Sequence, residues 1–162
     1  MRILVGVLEI AGQIPVYADG FRNLGHEVTT VVRQKIPWYE AEYQYELSPT
    51  ELTLEDAILI GYLLGSHDLF VYEWARSGLL PFAKELEFLR DIGKKTVSIF
   101  QGSDVRYYPA YREWYDIEKK DLIKIPFPYE TVSESLKPLR NAEQYCNLIF
   151  SLQNQSVLGV RP

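Results

Sequence analysis

The sequence predicts an α/β domain in three layers, a doubly wound parallel sheet with helices on both faces. Segments with strand character alternate with segments of helical periodicity along nearly the whole chain of 162 residues. The first strand segment, Ile3 to Leu8, is a nearly continuous apolar run and not an alternating one. Such runs indicate strands that are buried on both faces, which is typical of a parallel sheet covered by helices. The length matches one domain, so we expect a single domain over residues 1–162.

The first βαβ unit is the most clearly patterned part of the chain. Ile3 to Leu8 predicts the first strand, and Val28 to Val32, which is rich in β-branched residues, predicts the second. Between them Pro15 suits the first turn of a helix, and Gly25 stands where a helix ends with a glycine. The predicted apolar stripe of this helix consists of Ile14, Tyr17, Phe21 and Leu24.

The rest of the chain predicts three further strands, separated by helices and loops. We expect an ordered surface loop over 34–50 and strands over Asp68–Tyr72, Lys95–Phe100 and Leu148–Leu152. The predicted helices are Glu51–Leu64, with Ile58, Leu59, Tyr62 and Leu63 on one side, Leu79–Ile92, a short one near 111–120, and one beginning around Ser135–Pro138.

Composition excludes several classes of protein. The net charge of −5 disfavours nonspecific nucleic-acid binding, and no apolar run reaches the length of a transmembrane helix. The residues after Met1 lack the pattern of a signal peptide. The single cysteine, Cys146, excludes internal disulfides. We therefore expect a protein of the cytoplasm, with the inner face of the membrane as an alternative, and we expect no metal or cofactor.

In an open parallel sheet, ligands bind beyond the carboxyl ends of the strands. The residues at these positions are largely polar: Glu9 to Gln13, Arg33, Glu73-Trp74, Gln101 to Arg106, and Gln153 to Gln155. Strand ends are often polar simply because they are solvated, so this remains the alternative for each set. Glu9 and Glu73 are placed where they could act on an acceptor hydroxyl. His26 and His67 precede strands, at the opposite edge, and are expected to be structural.

Two loops have a composition suited to ligand binding. Gly12, before the first helix, offers backbone N–H groups to an anion such as a nucleotide diphosphate, or is a plain turn glycine. The dinucleotide and P-loop fingerprints are absent. After the fourth strand, Gly102 allows a ligand to approach the backbone, while Asp104 and Arg106 could hold a hydroxyl and a phosphate, or pair with each other.

Aromatic residues concentrate in two loop segments. Tyr and Trp stack on sugar faces, so these side chains either line an acceptor cleft or pack beneath their loops or against another domain. They are Trp38, Tyr39, Tyr43, Tyr107, Tyr108 and Trp114.

Four motifs occur in an order that resembles a known enzyme family. They are Met1-Arg2-Ile3-Leu4, Leu24-Gly25-His26-Glu27-Val28, Ile92-Gly93-Lys94-Lys95-Thr96-Val97 and Phe100-Gln101-Gly102-Ser103-Asp104-Val105-Arg106. This order and separation resemble the N-terminal domain of the B-fold glycosyltransferases, the large and mostly retaining family that uses nucleotide-sugar donors.

The resemblance implies a two-domain enzyme with its active site between two Rossmann-like halves. The N-terminal half mainly holds the acceptor, for which a glycan or a lipid-linked acceptor is the candidate, and the C-terminal half holds most of the donor. No counterpart of that donor-binding half precedes Arg161-Pro162, so the resemblance implies a chain that is inactive alone. Many relatives have histidine where this chain has Gln101, which can orient a hydroxyl but cannot accept its proton.

The resemblance and the strand-end positions together select the candidate site. The candidate catalytic residues are Gln101, Asp104 and Glu73. The candidate substrate-binding residues are Gly12, Gln13, Gly102, Ser103, Arg106, Trp74 and Tyr107. The alternative function is a non-catalytic module that binds or senses a small molecule on the same type of sheet, because a fold does not fix a function.

Overall fold

The computed structural model describes residues 1–34, 41–73, 78–80, 83–101 and 132–151. These residues form a six-stranded, fully parallel sheet flanked by helices, so the predicted Rossmann-like α/β fold is confirmed. The elements in chain order are β1 Arg2–Leu8, α1 Gln13–Asn23, β2 Glu27–Gln34, β3 Tyr45–Glu46, α2 Leu54–Ser66, β4 Leu69–Glu73, α3 Glu85–Asp91, β5 Lys95–Phe100, α4 Val132–Tyr145 and β6 Leu148–Ser151.

The strand order is β3-β2-β1-β4-β5-β6. From β1 the chain moves outward through β2 to β3, then returns through α2 to β4 on the other side of β1 and continues outward to β5 and β6. The direction of winding therefore reverses between β1 and β4. In doubly wound sheets this switch point opens a crevice at the carboxyl ends of the two strands.

A hydrophobic core covers each face of the sheet. On one face, Ile14 and Ala18 of α1 pack against residues of β1 that include Ile3 and Val5. On the other face, Ile60 of α2 and helix α3 pack against the alternate side chains of β1 and β4, such as Leu4, Phe70 and Tyr72. The sheet thus has its buried strands in the middle, as the continuous apolar runs predict. In the part of the chain that the structure describes, no helix is both long and apolar enough to cross a membrane.

The helices account for most of the differences from the sequence prediction. Leu24 belongs to the predicted stripe of α1 but is mostly exposed. The predicted loop over 34–50 contains the short edge strand β3. Helix α3 does not begin at Leu79, because the Glu85 carboxylate accepts hydrogen bonds from the Leu79 and Leu80 N–H groups and holds them in a turn.

Helix α2 confirms half of the predicted apolar side, because Leu63 is buried and Leu59 packs against the core, but the buried side is centred elsewhere. Ile60 and Leu63 enter the core, whereas Ile58 and Tyr62 face solvent. Its start at Leu54 is fixed by a capping box, in which Thr53 and Asp56 exchange side-chain and backbone hydrogen bonds.

Helix α4 begins at Val132, before the predicted start, so Pro138 lies beyond its first turn. The short helix predicted near 111–120 lies outside the described residues.

Candidate functional site

Three of the predicted site residues meet at the carboxyl edge of the sheet. Gln13 begins α1, directly after the loop that follows β1, and Gln101 directly follows β5. The Gln101 side-chain amide donates a hydrogen bond from Nε2 to Oε1 of Gln13 at 2.7 Å. Glu73 ends β4, the strand that lies between β1 and β5 in the sheet. The site therefore lies at the switch point between β1 and β4.

Glu9 follows β1 and is fully buried at the same edge. Its Oε1 accepts a hydrogen bond from the Gln13 backbone N–H at 2.9 Å, and its Oε2 accepts one from the Tyr43 hydroxyl at 2.7 Å. A buried carboxylate must be satisfied by donors, and here a helix N-terminus and a phenol supply them. The backbone and the β2–β3 connection thus fix both oxygens of Glu9.

Tyr43 reaches Glu9 because its segment is attached to the sheet edge. The next residue, Gln44, donates its backbone N–H to the Thr30 hydroxyl at 3.0 Å, just before β3 pairs with β2. Burial, followed by the hydrogen bond to Glu9 and the charge of that residue, raises the pKa of Tyr43 well above its ordinary value. Tyr43 consequently stays protonated and acts as a donor to Glu9.

Glu73 is the second fully buried carboxyl at this edge. Burial, and next the charge of Glu9, raise the pKa of Glu73 to about 8. Glu73 therefore keeps its proton at neutral pH. Two neighbouring strand ends thus carry carboxyl groups in different environments, which is an arrangement common in sites that bind or transfer protons.

Tyr17 completes the polar cluster from α1. Burial and then the negative charge of Glu73 raise the pKa of its hydroxyl, while a hydrogen bond with Gln101 partly offsets this. The side chains that these contacts bring together are carboxyl, amide and phenol groups, and none of the described ones is a lysine, arginine or histidine. We call this set the edge cluster: Glu9, Gln13, Tyr17, Tyr43, Glu73 and Gln101.

Gly12 lies in the tight turn before α1. Its φ of 75° and the φ of 56° at Ala11 place two consecutive residues in the left-handed region, which a glycine adopts without strain. Gly12 is the N-cap of α1 and has no side chain to satisfy the first N–H groups, so the Glu9 carboxylate takes that role at Gln13.

The structure places the other candidates away from this cluster or outside its described part. Arg33 donates to the Ser48 and Leu79 carbonyl oxygens at 2.6 and 2.8 Å and so connects two loops. His67 is buried against the Thr29 hydroxyl at 2.8 Å, in the structural role predicted for it. The predicted residues that lie outside the described ranges are Trp74, Gly102, Ser103, Asp104, Arg106, Tyr107 and Gln153 to Gln155, together with the loop residues Trp38, Tyr39, Tyr108 and Trp114.

The sequence prediction missed the roles of Tyr17 and Tyr43. Both rings pack against the core, as the apolar stripe of α1 predicts for Tyr17, yet both hydroxyls also reach acidic or amide partners. Tyr17 lies one helical turn after Gln13, a polar residue that follows the first strand. This spacing is the sequence pattern that indicates its role in the site. No local pattern marks Tyr43, because its contact with Glu9 spans 34 residues.

No metal is indicated by the described residues. They contain no group of three or more His, Cys, Asp or Glu side chains arranged to hold an ion. Cys146, half-buried after α4, has a pKa raised to about 11 by burial, so its thiol stays protonated at neutral pH.

The sequence matches no protein-family model, and none of the curated proteins matches it.

Proposed function

We propose that this domain binds the hydroxyl acceptor in the transfer of a sugar from a nucleotide donor, as the acceptor-side half of a glycosyltransferase. The observation that supports this most is the meeting of Gln13, Glu73 and Gln101 at the switch point, where the order of motifs predicts an acceptor site. The donor nucleotide requires a second domain, supplied by another part of the protein or by a partner.

The chemistry of the edge cluster fits neutral hydroxyl groups better than anions. Glu9 offers carboxylate oxygens, Gln13 and Gln101 offer amides, and protonated Glu73 offers a donor. The Glu9 carboxylate, with no cation among the members of the edge cluster, disfavours a phosphate at the same position. A sugar with several hydroxyls can exchange hydrogen bonds with all four groups.

Each residue has a role in this proposal. Gln101 orients the acceptor through hydrogen bonds of its amide. It has no part in proton transfer, because a neutral amide cannot take a proton. Glu9 accepts a hydrogen bond from the reacting hydroxyl, and Tyr43 holds that carboxylate in place. Glu73 donates to the acceptor while protonated. The proposed location is the cytoplasm. The resemblance implies nucleotide-sugar donors, and we expect the domain to meet them in that compartment.

Titration of the purified chain with ligands tests this function. We expect neutral mono- and oligosaccharides to shift backbone NMR signals of the edge cluster, with weak, millimolar-range affinity for single sugars. Gln101→Ala should weaken this binding, whereas Gln144→Ala, which removes an exposed glutamine of α4, should not. The proposal would be wrong if no sugar bound at any concentration, or if FMN bound tightly at this edge.

The alternative is a binding or regulatory module without chemistry. The observation that favours it is the engagement of both Glu9 oxygens, by Gln13 and by Tyr43, because these contacts give the carboxylate a structural role at the sheet edge. The two functions differ in one respect: sugar transfer requires nucleotide-sugar turnover when the donor-binding domain is present. Sugar binding with no turnover in the full assembly would favour the module.

A further inference from the structure

Helix α2 is apolar on both of its sides. Ile60 and Leu63 are buried in the core, while Leu54, Ile58 and Tyr62 are 72%, 67% and 61% exposed on the opposite side. These three exposed residues are spaced by four, so they form a ridge along the helix. A helix of a soluble domain normally has a polar outer side, and an apolar one indicates a packing partner.

Small residues lie beside this ridge on the same exposed side. They are Ala57, Gly61 and Gly65, again spaced by four. No described atom outside the helix backbone lies within 4 Å of the point where a Cβ would stand on Gly61 or Gly65. The helix backbone is therefore open to close approach by another helix. We call the ridge and the groove together the α2 face: Leu54, Ala57, Ile58, Gly61, Tyr62 and Gly65.

The α2 face is complementary to itself in one orientation. If two copies of α2 run antiparallel with Ile58 opposite Gly61, then Leu54 lies opposite Gly65 and Tyr62 opposite Ala57. Each large side chain then meets a small one, and twofold symmetry repeats every contact. We propose that the α2 face binds the same face of a second copy of this chain, with the two helices antiparallel.

The charges near the helix ends favour the same orientation. Glu55 lies in the first turn of α2, and Lys94 donates from Nζ to the Gly65 carbonyl oxygen at the other end, at 3.2 Å. The antiparallel pairing places Glu55 of one copy beside Lys94 of the second copy. A parallel pairing would instead bring the two Glu55 carboxylates together, which costs free energy.

The area of the α2 face sets the expected strength of this dimer. Three large and three small residues cover on the order of a few hundred Å² per copy, less than the roughly 800 Å² per partner of a standard specific interface. We therefore expect a weak dimer, with a dissociation constant on the order of 100 µM. The proposal does not involve the edge cluster, so it holds or fails independently of the proposed function.

Sedimentation velocity of the purified chain over about 1 to 500 µM tests the dimer. Gly61→Leu fills the groove and favours the helix, so it should keep the fold and weaken dimerisation at least about tenfold. Gly20→Leu makes the same change at an open, exposed position of α1 and should leave dimerisation unchanged. A wild-type chain that stays monomeric throughout, or a Gly61→Leu chain that dimerises as well as the wild type, would overturn the proposal.

A charge exchange tests the orientation. Glu55→Lys and Lys94→Glu should each weaken the dimer about two- to fivefold, because exposed ion pairs contribute little. The double variant, which restores opposite charges across the interface, should recover the wild-type affinity. If the double variant loses as much free energy of dimerisation as the two single variants lose together, the antiparallel pairing is wrong.

Discussion

The Tyr43 hydroxyl donates a hydrogen bond to Oε2 of Glu9 at 2.7 Å and so connects the edge of the sheet to its central strand. Tyr43→Phe removes this donor and leaves a buried carboxylate oxygen without its phenol partner. We expect the free energy of unfolding to fall by about 1.5 to 3 kcal/mol, the usual range for a hydrogen bond to a charged group. Urea denaturation at pH 7 measures this change.

The matched control for that substitution is Tyr62→Phe. Tyr62 is exposed on α2, so removing its hydroxyl should change the free energy of unfolding by less than about 0.5 kcal/mol. Equal effects of the two substitutions would show that the contact of Tyr43 with Glu9 does not stabilise the domain.

Glu73 should make the domain less stable as the pH rises. Its pKa is about 8 in the folded domain, against an ordinary value of 4.5. Between these two pH values the unfolded chain loses the proton that the folded chain keeps, so the free energy of unfolding falls with increasing pH, by at most about 1.4 kcal/mol per pH unit. Glu73→Gln cannot ionise and removes this loss.

We therefore expect Glu73→Gln to resemble the wild type near pH 4.5 and to be more stable by a few kcal/mol near pH 8. Urea denaturation at several pH values measures the difference. Glu87→Gln, at an exposed position of α3, is the control and should give a small, nearly constant difference. Parallel stability curves for Glu73→Gln and the wild type would contradict the raised pKa.

His67 should give the opposite dependence on pH. Burial lowers the pKa of its imidazole below the ordinary 6.5, although the bond to the Leu63 carbonyl oxygen works against this. As the pH falls below 6.5 the unfolded chain binds a proton first, so the free energy of unfolding falls.

His67→Ala removes this acid-sensitive contribution and also the contact with Thr29. The expected cost at pH 7 is about 2 to 4 kcal/mol, from the lost packing and hydrogen bonds. Thermal denaturation at pH 7 and pH 5.5 measures both effects. His26→Ala changes a half-buried histidine and should cost clearly less at both pH values.

Two glycines near the end of α1 should respond in opposite ways to alanine. Gly20 lies inside the helix, with open space around its Cβ position, so Gly20→Ala should stabilise the domain by about 0.5 to 1 kcal/mol. Gly25 has a φ of 83°, and Gly25→Ala should destabilise it by about 1 kcal/mol or more. Chemical denaturation measures the free energy of unfolding of both variants. A change in the same direction for both would contradict the left-handed conformation of Gly25 as the cause.

The sequence predicts strands better than helix faces, for a physical reason. Lys95–Phe100 is predicted and observed with the same bounds, because Thr96, Val97 and Ile99 are β-branched and the turn glycine Gly93 precedes the strand. Helix α2 is apolar all round, so no period distinguishes the side with Ile60 from the side with Ile58. The start of α3 depends on Glu85 bonding to Leu79 and Leu80, a contact that helical propensity does not include.

The candidate site was predictable where it depends on topology and unpredictable where it depends on loops. Gln13, Glu73 and Gln101 follow from the rule that ligands meet the carboxyl ends of parallel strands, and the structure brings these three together. The pairing of Glu9 with Tyr43 depends on the path of the β2–β3 connection. The raised pKa of Glu73 depends on burial beside Glu9, which requires the neighbouring positions of β1 and β4.

The central position of β1 determines how well the edge cluster survives local opening of the fold. β1 is hydrogen-bonded to β2 on one side and to β4 on the other, whereas β3 pairs through only two residues at the sheet margin. Amide protons of β1 should therefore exchange with solvent only when the whole domain unfolds, and those of β3 through fraying. Glu9 and Glu73 thus stay in place during such motions. Tyr43 moves away together with β3, and this exposes Glu9 to water on the timescale of the fraying.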